Sequence, residues 1–259
     1  MVNSSSFILV VPLFNEESRI DLSRFRSFMK DAQTKIIFVD DGSTDGTHDL
    51  LSREFSPCDD VFVLRLETNS GKAEALRIGF LFAHDLEPES FVITFDADWS
   101  MGEATVFNLM KEVEKAMSGG GSQPEEIVRV FSSARIYLAG MQVDRPVSRK
   151  WIGRIIATII SLGIGITFYD PQSPLKIYKF SVDTKVIFSK RMRTRWFFEG
   201  ELFLRLRSSG IASRVYEYPA SDYLDIDSPN YKSFLKLRVL KDFFYFLIFV
   251  IRDRVKNVS

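Results

Sequence analysis

"KIIFVDDGSTDGTHDLLSREF", residues 35–55, joins an unbroken apolar run to a polar cluster and then to a stretch with helical spacing. KIIFVDD (35–41) shows no strict apolar–polar alternation, so it reads as a strand covered on both faces, the habit of parallel sheets. STDGTHDLLSREF reads as a helix opened by Ser or Thr, with acids in the first turn where the helix dipole favours them.

The same alternation runs on both sides of this stretch. FILVVP (7–12) is followed by NEESRIDLSRFRSFMKDA, with helical spacing through Ile20, Phe25, Phe28 and Met29. VFVLRLE (61–67) precedes a helix over 71–85, and FVITFD (91–96) precedes one near 104–117. Four such runs separated by helices predict a doubly wound α/β sheet, whose ligands lie beyond the carboxyl ends of the strands. The polar clusters PLFNEE, DDGSTDGT, ETNSGK and DADWS all fall at that edge.

SGGGSQPEE (118–126) reads as an exposed loop within one domain, because IVRVFSSAR resumes as a strand at once. An apolar helix at about 147–167, the segment YDPQSPLKIY, a helix near 199–209, the strand ASRVYEYPA and an amphipathic helix from about 233 follow. No internal repeat is visible. The predicted organisation is one domain over 1–233, with a donor half (about 1–118) and an acceptor half (about 127–233), and a C-terminal helix over 234–259.

With 259 residues, 34 Lys plus Arg and 34 Asp plus Glu, the chain has no global field that points to nucleic acid. One cysteine, Cys58, excludes an internal disulfide and fits a reducing, cytoplasmic setting. The N-terminus lacks the basic flank of a signal peptide, and no segment reaches the roughly 18 apolar residues of a membrane span. His48 and His84 stand alone in helical patterns, and no chemistry is assigned to them.

VITFDADWS (92–100) sets Asp96 and Asp98 one residue apart at the tip of a buried strand. Two carboxylates that close repel each other and resist desolvation unless something positive lies between them. Asp also ends strands simply because its side chain starts turns.

VVPLFNEE, IIFVDDGSTDGT, NSGKAEALRIGF and ITFDAD together resemble the donor half of family 2 glycosyltransferases, which share the GT-A fold. SSAR, YDPQSPLKIYKF, RWFFEGELFLRL and YEYPASDYLDIDSPNYK follow in the order seen in dolichyl-phosphate β-glucosyltransferases and related polyprenyl-phosphate sugar transferases. The resemblance covers about residues 7 to 254. It implies a GT-A, Rossmann-like mixed sheet and inverting transfer of a hexose, glucose foremost, from a UDP-sugar to polyprenyl phosphate.

By this resemblance Asp98 ligates Mg²⁺ or Mn²⁺, with Asp96 on the metal, its water or the ribose. Such hard cations take oxygen ligands and keep several waters, so one or two carboxylates beside a diphosphate suffice. Pro12, Phe14 and Glu16 would line the nucleoside pocket, with a first-turn acid favoured by the helix dipole as the competing reading of Glu16. Asp41 and the backbone of Val39 would meet the base, and Ala97 lies inside the acidic motif. Lys72 sits at a helix start, where a cation is unfavourable without a nearby anion; a solvated lysine is the alternative.

On the acceptor side a hydroxyl needs a base. Glu199 and Glu201 in FFEGEL are the candidates, beside Trp196, Phe197 and Phe198, which would raise a carboxyl pKa. Related enzymes usually carry Asp where Glu199 stands. A phosphate acceptor needs cations instead, and Arg135, Arg145, Arg149, Lys150 and Arg154 cluster before and within the apolar helix. Arg135 and Lys232 match basic residues of the resembling family, and Gln172 and Lys176 fall in a turn resembling the family's D-x-Q-C-G-F-K.

The C-terminal aromatics Phe243 to Ile248, flanked by Lys236, Arg238, Lys241, Arg252, Arg254 and Lys256, suit the interface of an anionic membrane or a packing surface. The expectation is a peripheral enzyme at the cytoplasmic face of a membrane. An enzyme glycosylating a hydroxyl of a lipid-linked saccharide in surface-polysaccharide synthesis is the close alternative. A non-catalytic nucleotide-sugar-binding protein is the alternative of another class. Oligomeric state is not legible.

Overall fold

The computed structural model describes residues 6–56, 58–118, 127–136, 142–144, 147–181, 183–224 and 237–258. Strands β1 (Phe7–Leu13), β2 (Lys35–Asp40), β3 (Val61–Arg65) and β4 (Phe91–Thr94) alternate with helices α1 (Leu22–Ala32), α2 (Thr47–Phe55), α3 (Lys72–Leu86) and α4 (Glu103–Ser118). The second half adds β5 (Ile127–Ala134), β6 (Gln142–Asp144), α5 (Val147–Ile164), β7 (Lys176–Phe180), α6 (Thr184–Phe188), α7 (Phe198–Ser208), β8 (Ala212–Pro219), β9 (Asp222–Leu224) and α8 (Leu237–Val258).

Seven strands form one sheet in the order β3-β2-β1-β4-β7-β5-β8, and β6 pairs with β9 apart from it. The first four strands are parallel, as their apolar runs predict. β7 inserts antiparallel between β4 and β5, which makes the sheet mixed. It brings Lys176, its first residue, into register with Thr94, two residues before Asp96. The start of β7 therefore joins the edge where β1, β2 and β4 end.

Two apolar layers cover the sheet. One gathers Val10, Val39, Phe80, Tyr178 and Phe198 beneath α3 and α7; the other gathers Leu9, Phe25, Phe38, Trp99 and Phe131 beneath α1, α2 and α4. Strands buried on both faces explain why the sequence showed runs rather than alternation.

α8 has two faces. Phe246 and Val250 are buried, with Phe246 stacked on Phe197 and set against Gly200, where an added Cβ would stand 2.5 Å from its ring. Phe244, Tyr245, Ile248 and Ile251 are exposed. The aromatic segment is thus divided between packing on α7 and open surface. Among the described residues, no helix is long and apolar enough to cross a membrane.

Candidate active site

The acidic pair follows β4 directly, and a strained turn sets its direction. Trp99 has φ 54°, a left-handed conformation costly for a bulky side chain. It is held by ring packing on Phe25, Phe28 and Phe95 and by the Arg24 guanidinium over its face. The Ser100 N–H donates to Asp98 Oδ1 at 2.9 Å, and the Leu224 N–H donates to the Ser100 carbonyl, so β9 braces the turn from outside.

Asp98 is half-buried, and its carboxyl lies above the usual aspartate range. Burial is the main cause and the charge of Asp96 the next, against lowering by Ser100 and Lys72. Glu16 is raised in the same way: burial dominates, Arg19 opposes it, and Asp98 and Asp96 add repulsion. Three acids therefore gather where β1 and β4 end. Lys72 forms an ion pair with Asp96. Burial works to lower its pKa, but Asp96, Glu199 and Asp98 more than offset that and leave it raised. Asp96 is the anion that a lysine at the start of α3 requires.

Several expected residues are elsewhere engaged. Asp41 is buried, and its two oxygens accept from the backbone N–H groups of Ser70 (2.6 Å) and Gly71 (2.7 Å). It fastens the loop after β3 to the loop after β2, and each oxygen keeps a further lone pair. The side chain of Val39 is fully buried between β1 and β3, so only its backbone is left for the expected contact with the base. Pro12, Phe14 and Glu16 are partly exposed at the edge, and Ala97 is buried within the acidic turn.

Glu199 and Glu201 part company. Two residues apart on a helix, they point in nearly opposite directions. Glu199 faces the sheet edge, with Lys176 Nζ 2.9 Å and the Tyr178 hydroxyl 3.3 Å from its Oε1. Glu201 is fully buried, accepts from the backbone of Arg193 and Thr194 and the Thr194 hydroxyl, and pairs with Arg205 at 2.8 Å. A carboxylate so enclosed cannot reach an acceptor, which removes Glu201 from the candidate bases.

Glu201 belongs instead to a device that fixes the approach to α7. Five consecutive backbone N–H groups are held by carboxylates from three helices: Met192 by Glu74, Arg193 and Thr194 by Glu201, Arg195 and Trp196 by Asp242. We expect Glu201→Gln to lower unfolding stability by about 2 kcal/mol in urea titrations, the scale of hydrogen bonds to a charged group. An unchanged midpoint would contradict this role.

Arg135 is also committed internally. Its Nε and Nη2 bond both oxygens of Asp170 at 2.6 and 2.8 Å, Nη2 reaches the Gln172 carbonyl, and the guanidinium lies over the Tyr223 ring. The expectation of an open phosphate-binding arginine is corrected: its charge is neutralised by Asp170. Gln172 is half-buried in the turn that Arg135 anchors. Arg154 donates to the Tyr169 carbonyl and stacks on its ring. Arg145 and Lys232 lie outside the described residues, as do residues 119–126 and Lys236. The side chains of Arg149, Lys150, Arg238, Arg254 and Lys256 are likewise not described.

Sequence reasoning passed over Asp170 and Tyr178, and gave Lys176 no partner. The available signal was a lysine opening KIYKF, a residue that must find a carboxylate if that end of the strand is buried.

Carboxylates, a lysine and a helix-borne glutamate thus gather at the edge beyond the parallel strands. The family model for glycosyl transferase family 2 matches residues 8–182, and the chain belongs to that family. It is therefore a glycosyltransferase.

A dolichyl-phosphate β-glucosyltransferase of Trichomonas vaginalis is 25% identical over 95% of this chain and 76% of its own length. An undecaprenyl-phosphate 4-deoxy-4-formamido-L-arabinose transferase of Pseudomonas fluorescens is 31% identical over 51% of this chain and 40% of its own. Among solved structures, a mannosyltransferase of Pyrobaculum calidifontis in complex with GDP-Man and Mn²⁺ superposes with TM-score 0.57 at 16% identity, over 95% of this chain and 64% of that one. S. aureus TarS 1–349 with UDP gives 0.53 at 18%, over 96% and 65%. These likenesses establish the GT-A fold.

Proposed function

We propose that this glycosyltransferase moves a hexose, glucose foremost, from a UDP-sugar to polyprenyl phosphate with inversion, using Mg²⁺ or Mn²⁺. The observation that carries the reading is the pair Asp96 and Asp98, presented by the strained Trp99 turn opposite Lys72 and Glu199. The names of the relatives, and the Mn²⁺ and UDP bound by the structural neighbours, point the same way.

The residues fit a divalent cation. Asp98 is a carboxylate whose charged form is disfavoured by burial and by Asp96, a situation that a cation relieves. Among the described residues no three His, Cys, Asp or Glu side chains form a metal cage. That suits an ion held by one or two carboxylates and completed by diphosphate and water. When bound, such an ion neutralises charge gathering on the leaving diphosphate.

The protein's own part is positional. Phe14 and Glu16 flank the nucleoside side, Lys72 meets the doublet and lies within reach of a diphosphate beside it, and Glu199 faces the sugar. Transfer to a hydroxyl of a lipid-linked saccharide is the second reading, favoured by Glu199 standing at the edge as a carboxylate able to act as base. The test supplies radiolabelled UDP-glucose and Mn²⁺, with and without undecaprenyl phosphate. Label entering the organic phase only with the lipid supports the reading; label retained as UDP-glucose in every arm overturns it.

Peripheral membrane contact at the cytoplasmic face is part of the proposal. Phe244, Tyr245, Ile248 and Ile251 form an exposed apolar stripe, with Lys241 over Tyr245 and exposed Arg252 beside it. Such a stripe suits an anionic bilayer interface. Flotation with vesicles containing phosphatidylglycerol should recover the protein, and Phe244→Ser with Ile248→Ser should cut recovery about tenfold. Equal recovery of the variant removes α8 from the contact.

A further inference from the structure

Lys176 is fully buried and opens β7 in register with Thr94. An ammonium in that position is tenable only with an anion against it. Its Nζ lies 2.9 Å from Glu199 Oε1 and also donates to the Ser173 carbonyl. Tyr178 stands two residues on, so it shares a face of the strand. Its hydroxyl is 3.3 Å from the same Oε1. Burial, and then Glu199, hold the phenol well above its ordinary pKa, so it stays a neutral donor.

Both donors thus converge on one oxygen. Oε2 has no hydrogen-bond partner among the described residues, and it is not sealed from solvent: the side chain is 14% exposed. The charge of Glu199 also favours the Lys72 ammonium, after that of Asp96. An ionised carboxylate offers only lone pairs. A phosphate monoester has mostly lost its last hydrogen at neutral pH and carries the same sign of charge. A hydroxyl gives a hydrogen bond without repulsion.

We propose that Lys176 and Tyr178 are positioning residues that fix one oxygen of Glu199, so that the other accepts a hydrogen bond from a neutral sugar hydroxyl of the substrate. This assignment rests on the nucleotide-sugar reading of the acidic edge. The hydroxyl belongs either to the transferred hexose or to a saccharide acceptor, and the two sources are separable.

The experiment uses the full chain with Mn²⁺ and UDP-glucose, and with undecaprenyl phosphate or an undecaprenyl-linked disaccharide as acceptor. Tyr178→Phe should lower kcat about tenfold, and Lys176→Met and Glu199→Gln about a hundredfold, with UDP affinity held within about twofold. The double variant Lys176→Met/Glu199→Gln should fall no further than Glu199→Gln alone. If the hydroxyl is the donor's, the preference for UDP-glucose over UDP in binding falls with kcat. If it is the acceptor's, that preference is retained while transfer to the disaccharide fails. Wild-type kcat in both Tyr178→Phe and Lys176→Met, or losses that multiply in the double variant, overturns the clamp.

Should Lys176→Met not fold, Tyr178→Phe, which removes a single hydroxyl, carries the test. A wild-type chain that binds no UDP overturns the nucleotide-sugar reading, and the hydroxyl assignment with it. The clamp itself is then decided by Tyr178→Phe and Glu199→Gln in a denaturation cycle: coupled losses support it and additive losses overturn it.

Discussion

Asp98→Asn will reduce sugar transfer about 10³-fold while leaving thermal stability unchanged or slightly higher. The two halves of this expectation have one cause. Asp96 already has a cation against it, Lys72. Asp98 has none so close; its carboxyl is raised by burial and by Asp96, and the Ser100 N–H is its main support. Asparagine keeps the oxygen that accepts from Ser100 and loses a charge that the folded chain holds at a cost. What it gives up is the acid that the proposed reaction assigns to the divalent cation. Asp96→Asn should have the smaller effect on transfer, because it also releases Lys72 toward the diphosphate. Chelation of the wild type should reproduce the Asp98→Asn loss, and chelation of the variant should add nothing. Transfer of radiolabel and differential scanning fluorimetry check both halves. Wild-type turnover in Asp98→Asn would remove the doublet from the chemistry.

The parallel half of the fold was legible because each of its strands is an unbroken apolar run, and burial on both faces is what such a run means. β7 was not legible. KIYKF carries two lysines in five residues, and the first is tolerated only because Glu199, distant in sequence, neutralises it. No local pattern contains that partner. Strand order escaped for the same reason, since placing β7 between β4 and β5 is a tertiary choice. The acidic doublet was legible from its spacing at a strand end. Its counter-ion was half legible: a lysine at the start of α3 called for an anion, but not for Asp96 in particular. The Glu199–Glu201 ambiguity was resolvable in principle, because acids two apart on a helix cannot face one site. Arg135 misled because a cation in a loop at the right edge looks free until Asp170 is set against it.

Arg135→Met will lower unfolding stability by about 3–5 kcal/mol, the scale expected when one partner of a buried ion pair is removed. Asp170 is mostly buried at 13% exposure and Arg135 at 9%. Burial alone would raise the Asp170 carboxyl, but the charge and hydrogen bonds of Arg135 more than offset it and hold it at about 2, below the ordinary 3.8. The sign of the pH dependence follows. A carboxyl lower in the folded than in the unfolded chain contributes stability that is present above the unfolded value and is lost as pH falls toward the folded one. The gap between wild type and Arg135→Met should therefore be full at pH 7, still large at pH 5, and clearly narrower at pH 3. Urea titrations at those three values measure it. Arg135→Met combined with Asp170→Leu should regain most of the loss, because a matched apolar pair leaves no orphaned charge. The combined variant should also lose the pH dependence. A gap of constant size from pH 7 to pH 3 would mean that the cost lies in lost packing against Tyr223, and not in a charge left without its partner.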